Sequence, residues 1–399
     1  MAQFSVAQTS PQTATHPSAS HGVIKRLLSL DVVRGITIAF MIMVNNNGGP
    51  GSWRFMNHAE WNGLTPTDLV FPTFVFVVGV SIVFAFEARL ARGAAKADLT
   101  RHTVQRAAIL IVLGIVVNSF PYFALVHMRF YGVLQRIGIC YLVVGLFYLW
   151  DRRVSTKIAA LAAALVGYWV LARWVPVPGL GMPGRDIPFM DMDRNLVSWI
   201  DQHVFPHHLY LYAPDYNVRD PEGLLSDLPA IGTTLLGVLT GLWLRTQRTL
   251  NAKAVGLLAG CIVCLGLGYL WSMWFPLNKN MWTSSFALVA AGYSLALLAL
   301  AFWAVELRGW RRGWTWPWLV FGSNAIVAYM FSELLASLMG LRFIPVGAQV
   351  VALRGVLFDH IFAHIADRHW AAFAWSVSFT ALCFVPAWIL YRKKIFVKV

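Results

Sequence analysis

The side chain best suited to chemistry is His58, in the polar run Asn57-His58-Ala59-Glu60-Trp61-Asn62-Gly63. An imidazole exchanges a proton near neutral pH, so it can act as a general base or a nucleophile. The plainer reading is a loop histidine bonded to backbone. Other polar groups stand at the ends of long apolar blocks: Asn45, Asn46 and Asn47, then Asp68, Asn118, Gln135, Arg136 and Glu333. Burying such groups in lipid is costly, so they normally face a cavity or one another. Together they suggest an outward-opening polar pocket with His58 at its rim. Each also has a structural reading. Asp31 and Arg34 have the spacing of an i,i+3 pair, Asp68 caps a helix after Pro66, and Arg136 neutralises Glu333. Thr233, Thr234 and Asn324 lie within apolar blocks.

Other chemistries find weaker support. His203, His207 and His208 follow Asp201, but Pro206 breaks the helix that an i,i+4 metal pair requires. His360 and His364, with Asp367, have helical spacing on an amphipathic stretch, where a wet face explains them better than a metal does. No metal site is expected. Cys261 and Cys264 form a C-x-x-C inside an apolar block and read as packing residues, like Cys140 and Cys383.

The elements that must position these groups are membrane helices. Of 399 residues, 58% are hydrophobic and 13% charged, whereas about a quarter of the residues in an ordinary globular chain are charged. The apolar residues come in blocks long enough to cross a bilayer as helices. The expectation is an all-α polytopic fold of ten spans, near 28–47, 67–87, 104–122, 132–150, 157–175, 226–244, 254–274, 282–304, 316–339 and 371–391. Basic residues concentrate in alternate loops (Arg89 to Arg106, Arg152 to Lys157, Arg245 to Lys253, Arg308 to Arg312), while the opposite short loops hold Arg54, Arg129 and Lys279. The positive-inside bias puts both termini in the cytoplasm. It also explains the net charge of +14 better than nucleic-acid binding does. Residues 1–24 read as a disordered cytoplasmic tail, and 25–399 as a single transmembrane domain. That domain carries a long exoplasmic loop at 176–225 and an interfacial helix at 347–368. Arg34 and Asn45, eleven residues apart, share one face of the first helix about 16 Å apart, a stripe that could line a path across.

The motifs that carry a resemblance are Ser29-Leu30-Asp31-Val32-Val33-Arg34-Gly35, Val44-Asn45 and the run from His58 through Trp61-Asn62-Gly63-Leu64-Thr65 to Pro72. Gly132 to Gly138, Asp220 to Leu225, Trp282-Thr283-Ser284 and Gly322 to Ala325 extend it. On these the chain resembles the heparan-α-glucosaminide N-acetyltransferase family, some bacterial members of which are labelled N-acetylglucosamine-related transporters. The resemblance implies acetyl transfer from cytoplasmic acetyl-CoA to the amine of a glucosamine-type sugar on the far side of a membrane, in bacteria the inner membrane. The family's active-site histidine matches His58 and its asparagine Asn45, with a slightly longer spacer here. The expectation is that the large luminal domain of the animal protein is absent here, so that acceptor specificity need not carry over.

Coenzyme A is a polyanion that cannot cross lipid cheaply. Its phosphates could stay among basic side chains while the pantetheine arm reaches inward. The expected donor-binding set is Arg34, Gln135, Arg136 and Asn324. The expected sugar-binding set is Asp68, Asp220, Glu222 and Glu333. His58 and Asn45 carry the chemistry, with Asn45 holding the thioester oxygen. A homodimer is compatible with such a chain. The rival readings are a transporter of N-acetylglucosamine or related sugars and a membrane scaffold.

Overall fold

A computed structural model describes residues 27–49, 51–124, 128–210, 219–311, 313–346 and 349–397. The tail expected at 1–24 lies outside them. The long apolar blocks form helices because a helix satisfies every backbone donor and acceptor within its own segment. In chain order these are α1 (Leu28–Asn45), α2 (Val70–Leu90), α3 (Lys96–Ser119), α4 (Val133–Trp150), α5 (Val154–Trp174) and the short α6 (Leu196–Val204). There follow α7 (Asp227–Leu244), α8 (Leu250–Trp271), α9 (Ser284–Phe302), α10 (Thr315–Ser323), α11 (Ala325–Gly340), α12 (Leu353–Leu357) and α13 (Arg368–Arg392). Among the described residues nine helices are long and apolar enough to cross a membrane, or ten if the bent pair α10–α11 counts as one span.

α1, α2, α7 and α9 form the centre, with 67–72% of their most apolar windows buried. The corresponding share is 17–28% for α3, α5, α8 and α13, which ring them. Two crossings are close enough to exclude any side chain. A Cβ at Gly35 would meet the Trp318 carbonyl oxygen at 1.8 Å where α1 crosses α10, and one at Gly79 would meet that of Thr234 at 2.0 Å where α2 crosses α7. Small residues let helix backbones approach in this way, and packing then replaces the hydrophobic driving force that lipid cannot supply. At the basic end, Glu87 of α2 accepts from Tyr148, Arg152 and Arg245, tying together loops expected on one side.

Three expectations need correction. The span expected at 316–339 is broken, turning by 80° between α10 and α11 at Asn324. Asn324 is fully buried; its amide donates to the Ile395 carbonyl and accepts from the Val397 N–H. The segment expected as one interfacial helix at 347–368 is mostly something else. Residues 349–352 pair antiparallel with Arg342–Val346 as a hairpin, and helix runs only from 353 to 362; 347 and 348 lie outside the described residues. The stripe from Arg34 to Asn45 is closed, because Ile38, Met41 and Ile42 between them are packed into the main apolar cluster.

Candidate active site

The loop between α1 and α2 is fixed by its own polar side chains. Asn57 bonds Asn47 at 2.8 Å and Ser52 at 3.0 Å. Thr65 precedes a 3-10 turn at Pro66–Leu69, and the Asp68 carboxylate folds back to accept the Thr65 N–H at 2.9 Å and the Ala59 N–H at 3.1 Å. Those bonds use Oδ2. Oδ1 lies 2.7 Å from Nδ1 of His58. Asp68 is therefore a cap, as its position after Pro66 suggested, and also the partner of the histidine. Its side chain is 1% exposed and that of His58 50%. A carboxylate facing Nδ1 favours the tautomer with the proton on Nδ1, leaving the Nε2 lone pair available.

A group that the motif reading did not single out completes this arrangement. Lys279 Nζ lies 3.3 Å from both Nδ1 and Nε2 of His58. Its turn is locked to the His58 loop, since Gly63 N–H donates to the Leu277 carbonyl at 2.8 Å and the buried Asn278 amide donates to Asn62 at 3.1 Å. Burial lowers the proton affinity of Lys279, and Glu222 and Asp68 only partly restore it.

Next to this pair lies a dense ionic network beneath the long loop. Arg129 grips Asp220 through two bonds of 2.7 and 2.5 Å and Glu222 at 2.5 Å. Burial opposes charge on Arg129, but those carboxylates raise its proton affinity above the ordinary value. Burial pushes Asp220 up even against Arg129. Glu222 is also opposed by burial, yet Arg129, Lys279 and Arg136 outweigh it and hold its carboxyl below the usual range. Arg136, 1% exposed, bonds Asp227 at 2.9 Å, the Pro221 and Gly223 carbonyls and Ser226, and its guanidinium lies 5.0 Å over the Trp282 ring. The expected pairing of Arg136 with Glu333 is thus replaced by Asp227, because the loop 219–226 folds back over the start of α4. Asp201 of α6 accepts the Leu224 N–H at 2.9 Å, and burial pushes its carboxyl up to about 7.

The remaining expected residues lie in separate places. Asn45 donates to Glu333 of α11 at 3.0 Å. Arg34 donates to Asp31 at 3.2 Å, to the Gly322 carbonyl at 3.4 Å and to Ser81 at 3.0 Å, at the other end of α1. Gln135 is buried beside Gly114 and Gly132, and its amide has no hydrogen-bond partner among the described residues. Asn324 sits at the broken helix. The structure therefore joins His58 to Asp68, Asn45 to Glu333 and Asp220 to Glu222, and leaves Arg34, Gln135 and Asn324 apart from them. Trp61 donates to the Met190 carbonyl at 2.8 Å and carries Arg219 over its ring, so the long loop roofs the His58 loop.

Comparison with known proteins sharpens this picture. A family model described as heparan-alpha-glucosaminide N-acetyltransferase, catalytic, matches residues 26–212. Human heparan-alpha-glucosaminide N-acetyltransferase is 30% identical over 429 aligned positions, covering 94% of this chain and 60% of the human protein. The mouse protein of the same name is 27% identical over 436, covering 96% and 62%. The chain thus spans about three fifths of the length of these relatives. Arg34, Asn45, His58, Asp68, Gln135 and Arg136 lie inside the matched segment, and Asp220, Glu222, Lys279, Asn324 and Glu333 lie beyond it.

Proposed function

From this likeness to the heparan-α-glucosaminide N-acetyltransferases, we propose that the chain transfers an acetyl group from acetyl-CoA to the amine of a glucosamine-type sugar across a membrane. The observation that carries the reading is the pair His58–Asp68: a half-exposed ring whose Nδ1 faces a buried carboxylate 2.7 Å away. That pairing orients the imidazole and leaves Nε2 for the reacting group. In one route Nε2 takes the proton of the sugar amine as nitrogen attacks the thioester carbon. In the other, Nε2 itself accepts the acetyl group, coenzyme A leaves, and the amine then displaces the imidazole. Glu333, held by Asn45, suits the amine or a hydroxyl of the sugar. Asp220 and Glu222 flank the same side through Arg129. Arg34 and the basic loops at the opposite end suit the phosphates of the donor, with both termini on that cytoplasmic side of a bacterial inner membrane. Gln135 is proposed to meet the donor's amide-bearing arm. Arg136 and Asn324, whose polar atoms are engaged by the protein, act by holding the loop 219–226 and the broken helix.

The test uses purified protein in detergent with acetyl-CoA and glucosamine. His58→Ala should abolish N-acetylglucosamine formation while eluting and melting as the wild type does; turnover at the wild-type rate removes the reading. One observation favours a transporter as second reading. Helices interrupted at mid-span often mark substrate sites in transporters, and α10–α11 is bent by 80°. Uptake of labelled N-acetylglucosamine into proteoliposomes without acetyl-CoA supports that reading; uptake no faster than into empty liposomes discards it.

A further inference from the structure

We infer that Lys279 is the electrophilic group of the transfer: its ammonium, beside the His58 ring, receives the negative charge that develops on the thioester oxygen. The inference rests on the acetyltransferase reading and names a residue that the motifs around His58 do not contain.

Geometry carries it. Nζ is equidistant, 3.3 Å, from the two ring nitrogens, so a carbonyl held at Nε2 brings its oxygen within reach of the same ammonium. A contact of 3.3 Å is long for a hydrogen bond to nitrogen, and the lysine can give it up as an oxyanion forms. Asn45, which the resemblance offers for this oxygen, instead donates to Glu333. The lysine is also preorganised. Its turn is clamped by Asn278 and Leu277 to the loop that carries His58, and Trp282 closes it with φ of 49° while fully buried under Arg136. A non-glycine residue in the left-handed region costs energy and persists only where the surroundings dictate it. A cation already fixed in place stabilises developing charge without having to reorganise as the reaction proceeds.

Direct transfer passes through one tetrahedral intermediate. The amine nitrogen bonds to the thioester carbon, its proton passes to Nε2, and the carbonyl π electrons move onto the oxygen beside Lys279. Collapse reforms the carbonyl and breaks the carbon–sulfur bond, and the leaving thiolate takes the proton from Nε2.

The groups facing Lys279 are His58 and Asp68 from one loop, Glu222 from another, and Arg136 and Arg129 behind it. Burial lowers its proton affinity, with Arg136 and Arg129 acting in the same sense and Glu222 and Asp68 opposing. Activity that needs the ammonium is therefore lost on the alkaline side at lower pH than for an ordinary lysine.

The experiment compares wild type, Lys279→Met, Lys279→Arg and His58→Ala at saturating acetyl-CoA and glucosamine from neutral to alkaline pH, with elution and melting as folding checks. Lys279→Met should lower kcat by on the order of 10²–10³-fold with KM little changed. Lys279→Arg should keep part of the rate, and its alkaline limb should move to higher pH, because guanidinium holds its proton; should the Met variant fail to fold, this shift decides. A folded Met variant with wild-type kcat, or an Arg variant whose alkaline limb coincides with that of the wild type, overturns the assignment. In either case a dead His58→Ala beside an active wild type leaves the acetyltransferase reading standing. A wild type that forms no product overturns both.

Discussion

The His58–Asp68–Lys279 grouping and the Arg129–Arg136 network share one end of the bundle, and both place charges beside buried carboxylates. They differ in what is left over. Arg136 spends its guanidinium on Asp227, Ser226 and two backbone carbonyls and is sealed from solvent. Around His58 one ring nitrogen is tied to Asp68, the other meets only the long Lys279 contact among the described residues, and half the ring is exposed. Ionisation alone is therefore a poor guide to reactivity. A buried charge whose donors are all satisfied holds a loop in place, and one with a spare valence at an opening can do chemistry.

That contrast can be broken by substitution. The largest effect should come from Arg136→Met, which leaves Asp227 buried and unpaired; removing one partner of such a pair costs about 3–5 kcal/mol. The variant should express poorly or melt well below the wild type in detergent, and a normal melting curve would mean that the network is dispensable. Asp68→Asn keeps the shape but turns an amide N–H toward Nδ1, so Nε2 carries the proton and loses its lone pair. By analogy with other oriented histidines, kcat should drop by on the order of 10²–10⁴-fold with a much smaller loss of stability. Equal loss in folding and in rate would place Asp68 with the structural network instead. Asp201 offers a pH readout. Its carboxyl, raised by burial to about 7, is protonated in the fold at pH values where the unfolded chain has released that proton. Stability should decline as pH rises from about 4 towards 7 and then level off. Asp201→Asn should flatten that decline in a melting series taken across this range. The smallest effect is expected for Asn324→Ala, which removes the bonds to Ile395 and Val397; about 1–3 kcal/mol should be lost, read as a lower melting temperature without a change in the sugar's KM.

Much of this was legible in the chain because lipid leaves few choices. Apolar blocks of span length must be helices, and the segments around Arg34, Gln135 and Glu87 fall where hydropathy puts them. His58 and Asp68 were legible through a short motif whose two paired side chains are ten residues apart and share one loop. Lys279 was not, since it reaches His58 across 221 residues and nothing local marks it beyond being a lone basic residue in a short loop. The partner of Arg136 differs from the expected one for a similar reason: Glu333 is the carboxylate evident within an apolar block, while Asp227 opens α7 behind a loop whose return path periodicity does not reveal. The break at Asn324 carried a weak local signal, an amide amid apolar residues after Gly322-Ser323. The hairpin Arg342–Val346 with Gln349–Ala352 was missed because apolar residues spaced for a helix also alternate well enough for two short strands.

The attachment of Asn324 to residues 395 and 397 has a practical side. An affinity handle or fluorescent reporter joined behind this segment is expected to load the elbow of the bent helix pair and so to act as a mechanical perturbation. Comparing identical preparations labelled at one terminus or the other would measure how far the elbow's angle governs turnover.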